Sequence, residues 1–228
     1  MRIHIIRHGQ TSWNAQRRIQ GQLDSELDDT GRQQATDRGA YFKDRPLAAV
    51  YSSSSVRTRQ TTALILGERQ DSVSYRDELR EVRLGVWQGE LWADIEKAYP
   101  DMVELHRIAS PSFDVEDAET SQEVQKRGVA AIETIINEHA GLPAESDILV
   151  VSHGAIMKTI LAHYAEVDLN VLHELPTLGN CAHCIIQIDG EKRCVTQIES
   201  IVFPETPWAS ADQLLPGTGS QPGAVPTV

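Results

Sequence analysis

The sequence lacks long apolar runs and has few residues that could cross-link a fold. Its 228 residues include only three cysteines, and an odd, small number is typical of a reducing compartment rather than of a disulfide scaffold. No stretch approaches the roughly 18 apolar residues of a membrane span, and the apolar stretch at the N-terminus is too short and broken for a signal peptide. The sequence therefore predicts a cytoplasmic protein with no membrane partner.

Positive charge is also scarce. The chain has 21 lysines and arginines against 33 acidic residues, a net charge of −12. Such a protein repels nucleic acids at long range, so a nucleic-acid partner is not expected. The apolar fraction of 40% is large enough to form one core at this length. If the protein handles phosphate, the positive charge must be concentrated locally.

Short apolar runs alternate with helical patterns. Three runs have the continuous apolar character of central strands: Ile3–Ile6, Leu47–Tyr51 and Ile148–Val151. Four helices are expected: one opened by Thr30-x-x-Gln33, one over Val56–Leu66 closed by Gly67, one opened by Thr120-x-x-Glu123, and one following Gly154. A hairpin turning at Asp189-Gly190 should join strands near Cys184–Ile188 and Cys194–Ile201.

These patterns predict an α/β fold, a three-layer α/β/α sandwich with a mostly parallel central sheet. Residues 84–119 fit no strand–helix unit, and we interpret them as a small cap insertion over the site. The predicted domain spans residues 1–203. A proline- and glycine-rich C-terminal tail follows over residues 204–228.

Polar clusters follow three of the predicted strands: Arg7-His8, Ser52–Arg57 and Ser152-His153. In open α/β sheets, ligands bind at the carboxyl ends of the strands. Two histidines, two arginines and a helix N-terminus would then converge on one crevice, a combination that suits a phosphate dianion. Arg57 supports this interpretation, because a cation at a helix start is unfavourable without an anion nearby.

Five segments in order carry a family resemblance. They are Arg7-His8-Gly9-Gln10-Thr11-x-Trp13-Asn14, Gln20-Gly21, Ser52-Ser53-x-x-x-Arg57-x-x-Gln60-Thr61, Leu79-Arg80-Glu81-x-x-x-Gly85-x-Trp87-x-Gly89 and Ser152-His153-Gly154. Together they resemble the histidine phosphatase superfamily, also called phosphoglycerate mutase-like, over roughly residues 1–203. An isolated Arg-His-Gly tripeptide would be weak evidence, whereas five ordered segments are not.

The resemblance implies roles for these residues. His8 would attack phosphorus to give a phosphohistidine, and Glu81 would protonate the departing alkoxide and then activate water. Arg7, Arg57 and His153 would hold the phosphate oxygens. The expected substrate-binding residues are Asn14, Gln20, Gly21 and Gly154. No metal or cofactor is expected, because no carboxylate cluster suggests Mg²⁺.

The phosphatase branch is favoured for small soluble phosphate monoesters. Mutases of the family usually have Glu-Ser after Arg-His-Gly, where this chain has Gln10-Thr11. In many relatives a Gly-Glu-Ser element precedes the long helix, whereas this chain has Ala118-Glu119-Thr120. A bisphosphoglycerate-dependent phosphoglycerate mutase and a non-catalytic phospholigand-binding protein remain alternatives, and the sequence leaves a homodimer open.

Other residues receive a structural interpretation. Cys181-Ala-His183-Cys184 would place its cysteines on opposite faces of a strand, so buried thiols are expected rather than zinc. Trp13, Trp87 and Trp92 are expected to pack rather than to line the site. No role is assigned to His106.

Overall fold

A computed structural model describes residues 1–202. The predicted tail, residues 204–228, lies outside the described residues. Seven strands form one sheet in the order β3-β2-β4-β1-β5-β6-β7. The strands are β1 (Arg2–Arg7), β2 (Leu47–Ser53), β3 (Val73–Arg76), β4 (Asp147–Ser152), β5 (His183–Asp189), β6 (Lys192–Ile198) and β7 (Ile201–Val202).

The sheet has a parallel half and an antiparallel half. The strands β3, β2, β4 and β1 run parallel, with Arg7 opposite Ser152 and Ser52 opposite Val151. From β1 outward, β5, β6 and β7 pair antiparallel. The parallel half needs crossover connections, which the helices supply. It also brings the carboxyl ends of β1, β2 and β4 to one edge.

Helices cover both faces of the sheet, which confirms the predicted sandwich. They are α1 (Ser12–Ala15), α2 (Asp29–Phe42), α3 (Val56–Leu66), α4 (Trp92–Ala98), α5 (Pro100–Arg107), α6 (Ser121–Glu138) and α7 (Gly154–Tyr164). Strand residues alternate between two core clusters. Ile6 and Leu149 pack in the cluster that contains Phe42 of α2, whereas Ile5 and Val150 pack in the larger cluster with α6 and α7. Among the described residues, no helix is long and apolar enough to cross a membrane.

Local sequence signals placed most element ends correctly. The capping box of Thr120 with Glu123 begins α6, and α3 ends at Gly67. The prediction that Thr30 opens a helix was wrong, because the corresponding helix α2 begins earlier in the chain. The Asp28 carboxylate, which is a stronger cap than a threonine hydroxyl, accepts the Gly31 N–H at 2.8 Å and starts α2 at Asp29.

One predicted strand needs correction, and one observed strand was not predicted. The last predicted strand was expected to continue to Ile201, but β6 ends at Ile198 because Glu199 turns the chain with a φ of 55°. Ile201 then begins β7, paired back on Ile198. The short edge strand β3 was not predicted. Its four residues are half-buried or exposed, so they lack the apolar run that marks a central strand.

The segment interpreted as a cap is about half helical. Residues 84–119 contain a 3₁₀ turn (Gly85–Trp87), α4, α5 and a connecting loop. Trp87 is buried against Trp92, Phe113 and His106. This aromatic cluster holds α4 and α5 against the domain.

Candidate active site

Two of the three polar strand ends contribute residues to one cavity. It has a volume of about 170 Å³ and is lined by seven of the nine residues assigned from sequence: Arg7, His8, Asn14, Gln20, Gly21, Arg57 and Glu81. The parallel register of β1, β2 and β4 accounts for the convergence, because these neighbouring strands end at the same edge.

His8 is positioned as a neutral imidazole with one free nitrogen. Its side chain is 2% exposed, and Nδ1 lies 2.7 Å from the Gly9 carbonyl oxygen. A carbonyl only accepts, so Nδ1 carries the proton and Nε2 carries the lone pair. Burial holds the pKa of His8 well below its usual value, and the Arg57 and Arg7 charges lower it further. In this tautomer Nε2 carries the lone pair that can act as a nucleophile.

Arg57 is fully buried at the start of α3. Its Nη1 donates to the Leu23 carbonyl at 2.8 Å and its Nη2 to the Gly21 carbonyl at 2.7 Å. Each of these nitrogens retains a second N–H that the bonds do not use. Burial lowers the pKa of Arg57 to about 10. The guanidinium therefore remains a cation at neutral pH, with donors available to an anion in the cavity.

Arg7 leaves a buried donor unpaired. Its Nη1 donates to the Leu178 carbonyl at 2.6 Å, whereas its buried Nε has no hydrogen-bond partner among the described residues. An unpaired buried donor costs about 1–3 kcal/mol. Burial lowers the pKa of Arg7. A bound oxyanion would offset the cost of the unpaired donor, so the arginine is suited to hold one.

Glu81 is fixed at the N-terminus of α7. One carboxylate oxygen accepts from Ile156 N and Val82 N at 3.0 Å each, and the other accepts from Ala155 N at 3.1 Å. These backbone donors orient the carboxylate, and Glu81 lines the cavity. It is the only carboxylate that lines this cavity within residues 1–202.

Asn14 and Gln20 present amide nitrogens. The side-chain oxygen of Asn14 accepts the Thr11 N–H at 3.1 Å, and the side-chain oxygen of Gln20 accepts from the Thr11 hydroxyl at 3.0 Å. Their nitrogens make no hydrogen bond to residues 1–202 and remain as donors. Thr11 thus supports the site as the cap of α1.

His153 and Gly154 do not line this cavity. The His153 ring centroid lies 5.3 Å from that of His8, but its Nδ1 accepts from Arg57 Nε at 3.1 Å and its Nε2 lies 2.8 Å from the Ser53 hydroxyl. Gly154 lies against Arg7, since a Cβ there would be 3.2 Å from Arg7 Nε. The structure brings both residues to the site but behind the two arginines.

Seven lining residues had no assigned site role in the sequence, and three of them, Arg18, Trp92 and His106, carry side chains with nitrogen atoms. The other four are apolar: Ile19, Val82, Leu84 and Ala155. Arg18 is anchored by a 2.5 Å bond from Nη1 to the Gly89 carbonyl. Trp92 was interpreted as packing, and it both packs and lines the cavity. Trp92 and His106 lie outside the five family segments, so nothing in the sequence indicated that their side chains face the cavity.

A larger depression of about 740 Å³ lies at the opposite end of the sheet. Its cations are already paired, because Asp147 accepts from Arg2 at 2.6 Å and from Arg45 at 2.7 Å. It also lies at the amino ends of β1 and β4, away from the usual position of sites in this architecture. We therefore place the functional site at His8.

A buried imidazole, one fully buried guanidinium and one half-buried guanidinium lie at the strand ends of this α/β/α sandwich, a combination that suits a phosphate group. The chain belongs to the histidine phosphatase superfamily (branch 1), whose model matches residues 3–200. This confirms the family resemblance inferred from the five segments.

Named relatives fall on both sides of the phosphatase–mutase division. The chain is 33% identical over 199 residues to probable phosphoglycerate mutase GpmB of Erwinia tasmaniensis, covering 84% of this chain and 86% of the relative. It is 30% identical over 197 residues to glucosyl-3-phosphoglycerate phosphatase of Mycolicibacterium vanbaalenii, covering 84% and 85%. The structure of Bacillus stearothermophilus YhfR is similar, with a TM-score of 0.81 and 31% identity over 89% of this chain and 98% of that one.

Proposed function

We propose that the protein is a metal-independent phosphatase that hydrolyses small-molecule phosphate monoesters through a phosphohistidine on His8. One observation carries the proposal. His8 donates Nδ1–H to the Gly9 carbonyl, so its unprotonated Nε2 is available beside the cavity that Arg7, Arg57 and Glu81 also line. A nucleophile, cationic donors and a carboxyl group are the components that a two-step displacement needs.

In the first step, the Nε2 lone pair attacks phosphorus. The bond between phosphorus and the ester oxygen breaks, its electron pair goes to that oxygen, and protonated Glu81 supplies the proton that makes the alcohol. In the second step, Glu81 takes a proton from water as the water oxygen attacks phosphorus. The P–N bond then breaks, and its electron pair returns to Nε2 with release of inorganic phosphate.

Arg7 and Arg57 bind the non-bridging phosphate oxygens in both steps. Arg57 is fully buried and Arg7 is half-buried, so their guanidiniums would act in a site of low dielectric constant, where such donors stabilise developing charge most strongly. No step requires a metal ion, because these cations and the amide nitrogens of Asn14 and Gln20 supply the positive and donor groups. We propose the cytoplasm as the location, which agrees with the small, odd number of cysteines.

A phosphoglycerate mutase is the second candidate, because the 33% identical GpmB relative carries that name. It would share the phosphohistidine but return the phosphoryl group to an acceptor hydroxyl instead of to water. Phosphate release and phosphoglycerate interconversion, measured side by side with catalytic bisphosphoglycerate present, distinguish the two. Interconversion that exceeds hydrolysis by orders of magnitude would favour the mutase.

The test is to trap the phosphoenzyme. A rapid quench with a ³²P-labelled aryl phosphate should label the protein with the acid-labile, base-stable behaviour of phosphohistidine, and hydrolysis should continue in excess chelator. His8→Ala should remove the label and the turnover, whereas His163→Ala, at an exposed position, should keep both. Turnover by His8→Ala would exclude the covalent route. Phosphate binding without turnover of any ester would instead support a non-catalytic phospholigand-binding protein.

A further inference from the structure

A second cavity adjoins the one that contains His8. It has a volume of about 190 Å³ and shares three wall residues with the first: Val82, His106 and Ala155. Small-molecule sites usually measure about 300–1,000 Å³, a range that neither cavity reaches alone and the two reach together. The three shared residues place the second cavity directly beside the first.

The wall of the second cavity is mostly apolar. Val82, Val124, Ala155 and Leu172 contribute hydrocarbon surface, and Thr159 adds a hydroxyl that is already donated to the Ile156 carbonyl at 2.8 Å. Such a wall gains free energy by covering an apolar group of a ligand.

One charge in this wall is not neutralised. Lys158 lies one helical turn after Ala155, roughly 5 Å further along α7. Its Nζ donates to the Leu175 carbonyl at 3.2 Å, and no carboxylate of residues 1–202 forms an ion pair with it. Burial lowers the pKa of Lys158. By contrast, Arg107 at the same cavity is paired with both oxygens of Glu104 at 2.5 and 2.7 Å.

His106 separates the two cavities. Its ring stacks on Trp92 at 6.1 Å and lies 5.0 Å from Phe113. Its ring nitrogens make no hydrogen bond to residues 1–202, so they are available to a ligand that passes from one cavity to the other. No acidic side chain lines the second cavity within the described residues.

We infer that the second cavity binds the alcohol part of the substrate, and that the preferred substrate is a phosphate monoester whose apolar chain carries a carboxylate that reaches Lys158. The inference rests on the proposed function and names its substrate class. The ester phosphate lies at His8, the chain passes His106 and packs on Val124 and Leu172, and the terminal carboxylate accepts from the Lys158 ammonium group.

Three synthetic esters test the inference: methyl phosphate, hexyl phosphate, and the analogue of hexyl phosphate in which the terminal methyl is a carboxylate. We expect kcat/KM to rise at least about tenfold from methyl to hexyl phosphate, because several methylene groups become buried. A further increase in kcat/KM of about ten- to a hundredfold is expected for the carboxylate analogue, because a hydrogen bond to a charged group typically contributes binding free energy of this size.

Single variants test the contact with Lys158 and the apolar contact with Leu172 separately. Lys158→Met keeps the hydrocarbon stem and should abolish the preference for the carboxylate analogue over hexyl phosphate. Lys126→Met, the same change at an exposed position on α6, should leave that preference intact. Leu172→Trp, which fills the second cavity, should abolish the preference for hexyl over methyl phosphate, and thermal unfolding checks that each variant is folded.

The outcomes separate the inference from the proposed function. If the three esters are hydrolysed with equal kcat/KM, or if Lys158→Met keeps the carboxylate preference, the inference is overturned while the phosphatase stands. If no ester is hydrolysed at all, the proposed function fails and the inference fails with it.

Discussion

Arg57 donates its Nε–H to Nδ1 of His153 at 3.1 Å, and this bond fixes the tautomer of the histidine. Because a guanidinium cannot accept, Nδ1 of His153 is unprotonated and Nε2 carries the hydrogen, which is donated to the Ser53 hydroxyl at 2.8 Å. Both ring nitrogens of His153 therefore already have a hydrogen-bond partner within the protein. Burial and the Arg57 charge lower the pKa of His153 well below its usual value, so the ring stays neutral. In this arrangement His153 is a positioning residue that orients Arg57.

A double-mutant cycle tests that role. Arg57→Ala should lower kcat/KM by about 10²–10³, the usual effect of losing one transition-state donor, and His153→Ala should lower it by a smaller factor. If His153 acts through Arg57, the double variant should be no worse than Arg57→Ala alone. Effects that multiply would instead show that His153 contacts the phosphate independently, which is the role implied by the family resemblance.

Glu81→Gln should affect esters according to their leaving groups. The amide keeps the shape of the side chain but cannot carry a proton, so kcat for an alkyl phosphate should fall by about 10²–10⁴. An aryl phosphate with an acidic phenol leaving group needs little protonation, so formation of the phosphoenzyme from it should be much less affected. The measurement is the burst of phenol release in a single turnover for each ester. Glu78→Gln, at a neighbouring exposed carboxylate, is the control and should change neither rate.

An equal loss for both esters would mean that Glu81 only organises the N-terminus of α7, where it accepts three backbone N–H bonds. In that case the unfolding temperature should fall in parallel with the activity.

Much of the fold was predictable because its signals are local. Continuous apolar runs such as Ile148–Val151 mark strands that are buried on both faces, and the structure buries all six residues of β4. The Thr120 capping box likewise fixes a helix start through neighbouring residues alone. The edge strand β3 lacked such a signal, because its pairing with β2 depends on register and not on apolar content.

The site was predictable where motifs follow strands and unpredictable where contacts depend on packing. Arg7, His8 and Arg57 could be grouped because parallel strands end at one edge. The occupied ring nitrogens of His153 depend on where Ser53 and Arg57 lie after folding, and sequence spacing carries no information on that point. His106 and Lys158 line cavities only because α5 and α7 pack beside one another, so no motif identified them.

Gly21→Ala should impair both stability and activity. Gly21 has a φ of +52°, its carbonyl accepts from Arg57 Nη2 at 2.7 Å, and a Cβ there would lie 2.1 Å from Gln88 Oε1. Gly190→Ala is the matched control, because Gly190 has a φ of +58° but open space around a Cβ. The control should lose about 1–2 kcal/mol of unfolding free energy from the left-handed backbone alone.

We expect Gly21→Ala to lose more than this control in urea denaturation, since Gln88 must also move, and to lower kcat/KM at least about tenfold by displacing an acceptor of Arg57. Equal stability losses with unchanged activity in both variants would show that Gly21 is needed only for its backbone conformation.

Acid should destabilise the protein through buried neutral histidines. Nδ1 of His4 lies 2.9 Å from Nε2 of His183, both rings are almost fully buried, and burial lowers the pKa of His183 to about 3 and also lowers that of His4. The unfolded chain takes up these protons near the ordinary histidine pKa of 6.5, whereas the folded protein does not. The contribution to stability is therefore complete above that pH and is lost as the pH falls towards the folded pKa.

The loss should amount to up to about 1 kcal/mol per pH unit for each such histidine. Urea denaturation at about pH 7.5 and about pH 5.5 measures it. His183→Gln, which cannot titrate, should show a shallower dependence on pH than the wild type, whereas His163→Gln, at an exposed position, should match the wild type. A wild-type protein that is equally stable at both pH values, or a His183→Gln variant with an unchanged slope, would contradict the prediction, because either result would mean that His183 is protonated in the folded state.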